Sequence, residues 1–467
     1  MLFSSMTFLF VFMPLVMAVY FLSKKEIRNY VLLIASIIFY AWGEPRYLAI
    51  MIITILVNYA GAILLDKHYS SRQRLWIVSL TIVLDLSFLF YFKYFNFVVD
   101  NINGVLATDF QLLDVIMPIG ISFYTFQAMS YLIDVYRREV PAQKDVYKLA
   151  LYIVLFPQLV AGPIVKYHDV CEQIDNRTIE FKNVIIGFKR FITGLAKKVL
   201  IANTLAEVVD KIFAQAPENL TTGVSWLGAV AYCLQLYYDF SGYSDMAIGL
   251  GLMFGFRFLE NFNYPYISKS ITEFWRRWHI SLATWFKLYL YIPLGGNRKG
   301  AVRTYWNLFA VFLVTGIWHG AAWSYVAWGI WNGIFIVIER FFGLDKDKND
   351  RWYVSAAKHV YAFFAIVWGM IIFRAESLSY AYEYICRMLH IDVTKHLPDY
   401  DYGVNNKFAI MLIVGLICAM PVCRNLIYIK YEHKVQRTLV NIWLFLLFFW
   451  STISLAASTY NPFIYFR

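Results

Sequence analysis

A run of about 20 apolar residues is the length at which a helix crosses the hydrocarbon core of a bilayer. Such runs recur along this whole chain. They lie at 2–22, 30–42, 47–65, 75–96, 115–133, 146–165 and 224–256, and then at 304–319, 321–342, 353–373, 408–423 and 438–457. This pattern predicts about 11 to 12 membrane-spanning helices, with the second and sixth short enough to be re-entrant or kinked. Inside lipid every backbone polar group must be satisfied within the protein, so only helices and closed barrels can span it. The runs are continuous and not alternating, which excludes an outer-membrane barrel. Charged residues make up 16% of the chain, against about 25% in an ordinary soluble domain. Hydrophobic residues make up 60% and aromatics 19% of the 467 residues. A soluble fold cannot hide that much apolar surface, so a soluble enzyme, a disordered scaffold and a disulfide-stapled secreted domain are all excluded. The expected fold is an all-α polytopic membrane protein with re-entrant and interfacial helices. No long linker, low-complexity tract or internal repeat divides it, so residues 1–467 read as a single integral-membrane domain.

The net charge of +11 would suggest nucleic acid in a soluble protein. Here the basic residues sit in short loops between apolar runs, so they set topology and meet anionic membrane lipid; no nucleic acid is expected as a partner. Lys24, Lys25 and Arg28 follow the first run, Lys67, Arg72 and Arg74 the third, and Arg137, Arg138, Lys144 and Lys148 the fifth. The stretch 97–114 has no Lys or Arg and carries Asp100, Asp109 and Asp114. The positive-inside rule then makes the basic loops cytoplasmic and the N-terminus external. Arg424, Lys430, Lys434 and Arg437 precede the last run, which sends the tail outside as well. The first run lacks a basic leader and an A-x-A site, so it reads as a retained span. The five cysteines form no CxxC pair, and HExxH is missing. No metal site is expected.

Two intervals interrupt the spans. In 166–223, Phe181, Val184, Ile185, Phe188, Phe191, Ile192 and Leu195 recur at helical spacing beside Lys182, Lys189, Arg190, Lys197 and Lys198. That pattern predicts an interfacial helix. The interval 257–303 is polar and very aromatic, and chemistry is expected there. It holds N-F-N-Y-P-Y (261–266), E-F-W-R-R-W-H-I-S-L (273–282) and Y-I-P-L-G-G-N-R (291–298). As one helix, it puts Trp275, Trp278, His279, Leu282 and Phe286 on a single face, with Glu273 paired to Arg276 or Arg277. A functional His279 and an interfacial, hydrogen-bonded His279 both fit this placement.

His319 stands in T-G-I-W-H-G-A-A-W (315–323), within an almost uncharged stretch from Tyr305 to Ile338. An ionisable group in such a place is expensive and is read either as a functional candidate or as a structural His bonding across helices. An imidazole kept neutral there acts as a base. The stretch is too long for one span, so Gly316 or Gly320 should break it. Asp239 and Asp245, in Y-Y-D-F-S-G-Y-S-D (237–245), read as buried clasps between helices. Arg257, Arg276, Arg277 or nearby hydroxyls are the candidate partners. Gly249, Gly251 and Gly255 imitate a dinucleotide fingerprint, but no strand precedes them, and helix packing is the appropriate reading. In L-F-P-Q-L-V-A-G-P-I (155–164), Pro157, Gln158, Gly162 and Pro163 make either a cavity wall or a plain kink. The tail N-P-F-I-Y-F-R (461–467) has the aromatics of an interfacial belt.

Taken together, these motifs resemble the membrane-bound O-acyltransferase (MBOAT) family, in its bacterial AlgI-like branch of the alginate O-acetylation type. The likeness covers nearly the whole chain, from F-S-S-x-x-F-L-F to Y-N-P-F-I-Y-F-R. It implies an MBOAT-like bundle around a central passage in the bacterial cytoplasmic membrane. It also implies an enzyme that takes an acyl group, most simply acetyl, from a cytoplasmic thioester such as acetyl-CoA, with no bound cofactor. The group crosses the membrane to O-acylate an extracytoplasmic polysaccharide or cell-wall polymer, with an SGNH-type serine acyltransferase/esterase as partner. The family's two characteristic histidines match His279 and His319, and His319 matches the essential one. Arg276, Arg277 and Arg298 become candidates for donor phosphates. The last span and tail, about 438–467, become a candidate acyl-relay element, with Tyr465 in a Phe-x-Tyr-x pattern as carrier. One departure stands out. The family's W-F-R-D-Y is W-F-K-L-Y here, Trp285 to Tyr289, with Lys287 and Leu288 in place of its Arg and acid. Glu273 is the candidate substitute for the lost acid. Export of D-alanine to teichoic acid is the close alternative reading. A long-chain lipid acyltransferase and a non-enzymatic transporter are more distant. A transporter should show paired intramembrane charges or inverted repeats, and neither is evident.

Overall fold

The computed structural model describes residues 1–67, 69–344, 350–390, 400–423, 434–458 and 460–461. Every regular element among them is helical. Four helices have the length and apolar composition to cross a membrane: Pro45–Asp66, Ser71–Leu106, Trp352–Arg374 and Val435–Ala457. Shorter apolar helices cover Phe8–Leu22, Arg28–Ala41 and Asn406–Cys418. The chain is a multi-pass membrane protein, and it divides into two compact units.

Unit 1 holds residues 1–191 and 243–259. Its helices are α1 (Met13–Leu22), α2 (Arg28–Ala41), α3 (Leu48–Asp66), α4 (Ser71–Leu89), α5 (Phe95–Leu106), α6 (Ile121–Arg137), α7 (Val146–Val154), α8 (Phe156–Leu159), α9 (Tyr167–Asn176) and α10 (Phe181–Ala196), the last of which ends in unit 2. Ser70 opens α4 with a reciprocal capping box to Gln73, which satisfies backbone donors that the first turn leaves over. A π-helical turn, Phe90–Tyr94, joins α4 to α5. The stretch 97–114, expected as an external loop, is therefore helical as far as Leu106. Asn58 on α3 donates to Asp85 on α4 at 2.9 Å, and both are buried. Phe3, Phe8, Phe12, Phe39 and Phe156 form an aromatic cluster, with ring centroids from 5.0 Å apart in Phe3–Phe8 to 6.4 Å in Phe3–Phe156.

The predicted interfacial helix is α10. A Cβ on Gly187 would lie 2.5 Å from the carbonyl oxygen of Gly249, and one on Gly249 would lie 2.6 Å from that of Gly187. The two backbones meet directly, so these glycines serve packing, as the lack of a strand before them suggested. Gln158, on α8, is fully buried and donates to the carbonyl of Tyr152.

Unit 2 holds residues 192–242 and 260–465. It contains α11 (Asn203–Phe213), the first part of α12 (Thr222–Met253), α13 (Ile271–Arg277), α14 (Ile280–Phe286), α15 (Ala301–His319), α16 (Trp323–Phe342), α17 (Trp352–Arg374), α18 (Leu378–Leu389), α19 (Asn406–Cys418) and α20 (Lys434–Ala457). The break in the long apolar stretch falls at Gly320. α15 and α16 then pack as a close hairpin. A Cβ on Gly316 would meet the Tyr325 carbonyl at 2.4 Å and the Gly329 Cα at 2.9 Å. Only hydrogen at these positions lets the backbones approach so closely.

Candidate active site

The site is built in unit 2, from a break in a helix. Ser270 caps α13 by accepting from the Glu273 N–H at 3.0 Å. Deeper in, the buried carboxylate of Glu339 on α16 accepts from the Thr272 N–H at 2.8 Å and from the Tyr361 hydroxyl at 3.1 Å. An anion suits the positive end of a helix. α13 stops after Arg277. Trp278 is extended, and His279 takes the left-handed conformation, φ 46° and ψ 53°. The single helix expected through Trp275, Trp278, His279, Leu282 and Phe286 is thus two short helices, with His279 at the joint. A non-Gly residue at positive φ is uncommon and costs free energy that its neighbours must offset.

Asn261 supplies that support. Its carbonyl accepts the Ile280 N–H at 3.0 Å. Its side-chain Oδ1 accepts the Ser281 N–H at 3.2 Å and the Ser281 hydroxyl at 2.9 Å, and lies 3.1 Å from His279 Nδ1. A backbone N–H can only donate, which fixes that atom as the amide oxygen. Nδ1 of His279 must therefore carry the proton, and the lone pair lies on Nε2. His279 is 1% exposed and lies outside the spanning helices. Burial pushes its pKa down to about 3, which keeps the ring neutral at physiological pH.

Rings carry the site from His279 to His319. Phe240 stands edge-on to His279 with centroids 4.7 Å apart. Trp318 is 6.5 Å from His279 and 5.1 Å from His319. His319 closes α15 and packs edge-on to Trp328 at 5.0 Å and Phe373 at 5.2 Å. Trp328 in turn meets Trp275 at 5.4 Å, and Trp275 donates from Nε1 to Asn332 at 3.0 Å. The two histidines named from the sequence, 40 positions apart, therefore flank one buried indole. A ring held at so low a pKa is a weak base, so of the two imidazoles His319, in its aromatic surroundings, is the one suited to taking a proton from a hydroxyl nucleophile, with His279 as an oriented neutral neighbour.

The other expected residues fall elsewhere. Glu273 accepts from Arg277 Nε at 2.9 Å and from the Lys269 N–H at 2.9 Å. It thus pairs with Arg277 and not Arg276. Asn261, and not Glu273, orients His279. Arg277 also donates to the Asn263 carbonyl at 3.1 Å, while Arg276 and Arg298 are exposed. The clasp carboxylates have basic partners that are not among the arginines expected. Asp245 takes Arg190 at 2.9 Å in unit 1, and Asp239 takes Lys198 in unit 2. Neither uses Arg257, Arg276 or Arg277 in these pairs. Tyr465 lies outside the described residues. Sequence reasoning passed over Asn261 as a site residue although it sits in the quoted N-F-N-Y-P-Y motif. It also missed Phe373 and Glu339, which no local motif marks.

The structure thus sets a buried His279 and a half-buried His319 among aromatic rings of a helical membrane protein, and the comparisons with known proteins specify the kind. Residues 34–377 match the sequence profile of MBOAT, the membrane-bound O-acyltransferase family. The chain is 42% identical to the probable alginate O-acetylase AlgI of Pseudomonas putida over the full length of both. It is 32% identical to the peptidoglycan O-acetyltransferase of Helicobacter pylori, covering 93% of this chain and 89% of that one. It is 28% identical to the teichoic acid D-alanyltransferase of Bacillus subtilis, over 55% of this chain and 69% of that one. The chain belongs to the membrane-bound O-acyltransferase family and is an O-acyltransferase.

Proposed function

We propose that the protein moves an acetyl group from cytoplasmic acetyl-CoA across the bacterial cytoplasmic membrane for O-acetylation of an extracytoplasmic polysaccharide or cell-wall polymer. The observation that carries this reading is the pair His279 and His319 on either side of Trp318, with the His279 tautomer set by Asn261. His319 acts as principal base in a water-accessible passage, and His279 shapes its donor end. An imidazole lone pair takes the proton of an attacking hydroxyl as its oxygen bonds to the thioester carbonyl carbon. The C–S bond then breaks, and the imidazolium returns the proton to the departing thiolate. Full-length likeness to O-acetylases favours acetyl over D-alanyl, since the teichoic acid relative aligns over only 55% of this chain.

In this reading Tyr465 is the first acceptor. A phenol, with a pKa of about 10, leaves more readily than an aliphatic alcohol. A tyrosyl ester therefore keeps enough transfer potential to acylate the serine of an extracytoplasmic SGNH-type partner. Both termini face outside, following the basic loops, and the whole chain works as one domain with residues 438–467 as its relay element. Arg276 and Arg298, both exposed, meet donor phosphates; Arg277 is already held by Glu273.

The test is polymer acetylation in cells and acetyl-CoA turnover by purified protein. Tyr465→Phe keeps the ring and removes only the hydroxyl. It should abolish polymer acetylation, and full acetylation in that variant removes Tyr465 from the mechanism. Arg276→Gln with Arg298→Gln should weaken donor affinity, and an unchanged donor KM rejects the phosphate role. Turnover of an aminoacyl carrier in place of acetyl-CoA establishes the D-alanyl reading instead.

A further inference from the structure

The end of α17 ties the His319 pocket to the start of the C-terminal tail. Phe373 walls the pocket, 5.2 Å from His319 and 5.0 Å from Tyr325 by ring centroids. The next residue, Arg374, turns the other way. Its guanidinium lies over the Phe213 ring at 5.5 Å and donates through Nη2 to Asp210 at 3.2 Å. The other carboxylate oxygen of Asp210 accepts the hydroxyl of Tyr460. Two helical turns earlier on the same face of α11, Asn203 donates from Nδ2 to the side-chain oxygen of Asn461 at 3.1 Å. The Tyr460 N–H is itself held by the Ser458 hydroxyl at 3.1 Å. Two consecutive tail residues thus meet two side chains on one helix, one of them a carboxylate whose charge Arg374 balances.

We propose that Asp210 and Asn203 form a latch that tethers the C-terminal tail beside the His319 pocket, making them positioning residues for the acyl relay. This rests on the reading that the tail carries the acyl group. Tyr465 is four positions beyond Asn461, and an extended chain spans at most about 3.5 Å per residue. The tether therefore confines the Tyr465 backbone to within about 14 Å of Asn461. Holding a nucleophile on so short a leash raises its local concentration to the millimolar range or above. The residue that anchors the latch, Arg374, is bonded to the residue that walls the pocket. Tail and base thereby share one rigid helix end.

The test uses the full chain in nanodiscs. Amide exchange at Tyr460 and Asn461, read by hydrogen–deuterium exchange mass spectrometry, reports the latch without any chemistry. A hydrogen bond to a charged group is worth roughly tenfold or more in such an opening equilibrium. Asp210→Asn and Tyr460→Phe should each speed exchange by about that factor, and Asn203→Ala by less. Asp210→Asn also disturbs Arg374, so Tyr460→Phe, which keeps the ring and every charge, is the deciding variant if the first fails to fold. The same variants should lower kcat for polymer acylation about tenfold and leave the donor KM unchanged, with Asp210→Glu recovering part of the loss. Unchanged exchange in Tyr460→Phe overturns the latch. Faster exchange with undiminished acylation upholds the latch and rejects the tail relay, which separates the two ideas.

Discussion

Unit 2 buries ionisable groups in two ways. Lys198 and Asp239, 3% and 1% exposed at their side chains, form an ion pair. His279, 1% exposed, is held neutral by burial and oriented by a neutral amide. Both are removed from water. In the ion pair each charge meets its counter-charge. His279 keeps a ring-nitrogen lone pair whose direction is fixed. Burial alone therefore does not mark a chemical site. What matters is whether the partners consume the group's reactivity or only aim it.

That contrast gives an ordered set of tests. The largest effect is expected at the second imidazole of the pocket. His319→Ala should reduce acylation by about 10²–10⁴-fold, the usual worth of a general base, with an unchanged amount of protein in the membrane. Near-normal acylation in that variant sinks the assignment of His319 as base.

The clasp should fail in the opposite manner. Lys198→Met leaves the Asp239 carboxylate buried without its cation, which costs roughly 3–5 kcal/mol of stability. Thermal unfolding in detergent should show the loss, while activity per folded molecule holds. Adding Asp239→Leu should recover most of the stability. If Lys198→Met instead lowers kcat in protein that stays folded, the distinction between clasp and pocket collapses.

A subtler prediction concerns Asn261, which aims the pocket. Asn261→Leu removes the acceptor that fixes the His279 tautomer. We expect roughly a 10- to 100-fold fall in kcat, in the range for a misdirected acid–base group, with a smaller change in KM. Loss of membrane-inserted protein without a kinetic defect in what remains would make Asn261 purely structural.

The smallest effect is one of pH. The folded pKa of His279 lies below its unfolded value, so the unfolded chain binds the extra proton. The stability this residue contributes is complete above the unfolded value of about 6.5 and drains away as pH falls toward the folded value of about 3. Between about pH 7.5 and about pH 5, the protein should lose roughly 2 kcal/mol that His279→Asn does not lose. Parallel pH profiles of the melting temperature in the two proteins contradict this.

The structure brings the two histidines named from the sequence to one indole, but the groups that support them were not legible in the sequence. His319 stood out because a titratable group in an uncharged run has few reasons to be there. His279 stood out by motif, but the helical wheel drawn through it was wrong. Nothing local in W-R-R-W-H-I-S-L announces a left-handed residue. Asn261 holds that conformation, 18 positions away. The basic partners of Asp239 and Asp245 went unnamed for the same reason. Lys198 and Arg190 had been spent on a polar helix face, and only folding shows that they turn inward.

The sequence by itself determined the solvent and the class of fold. Twenty-residue apolar runs admit only helices in lipid, and their interruption at 257–303 marks where polar chemistry can collect. The tertiary structure alone decided which polar groups meet. A hydrogen bond or ion pair depends on distances of about 3 Å between atoms far apart in the chain, and hydrophobic periodicity carries no information at that scale. The left-handed turn at His279, the indole between the histidines and the tail held on α11 are all products of that closer fit.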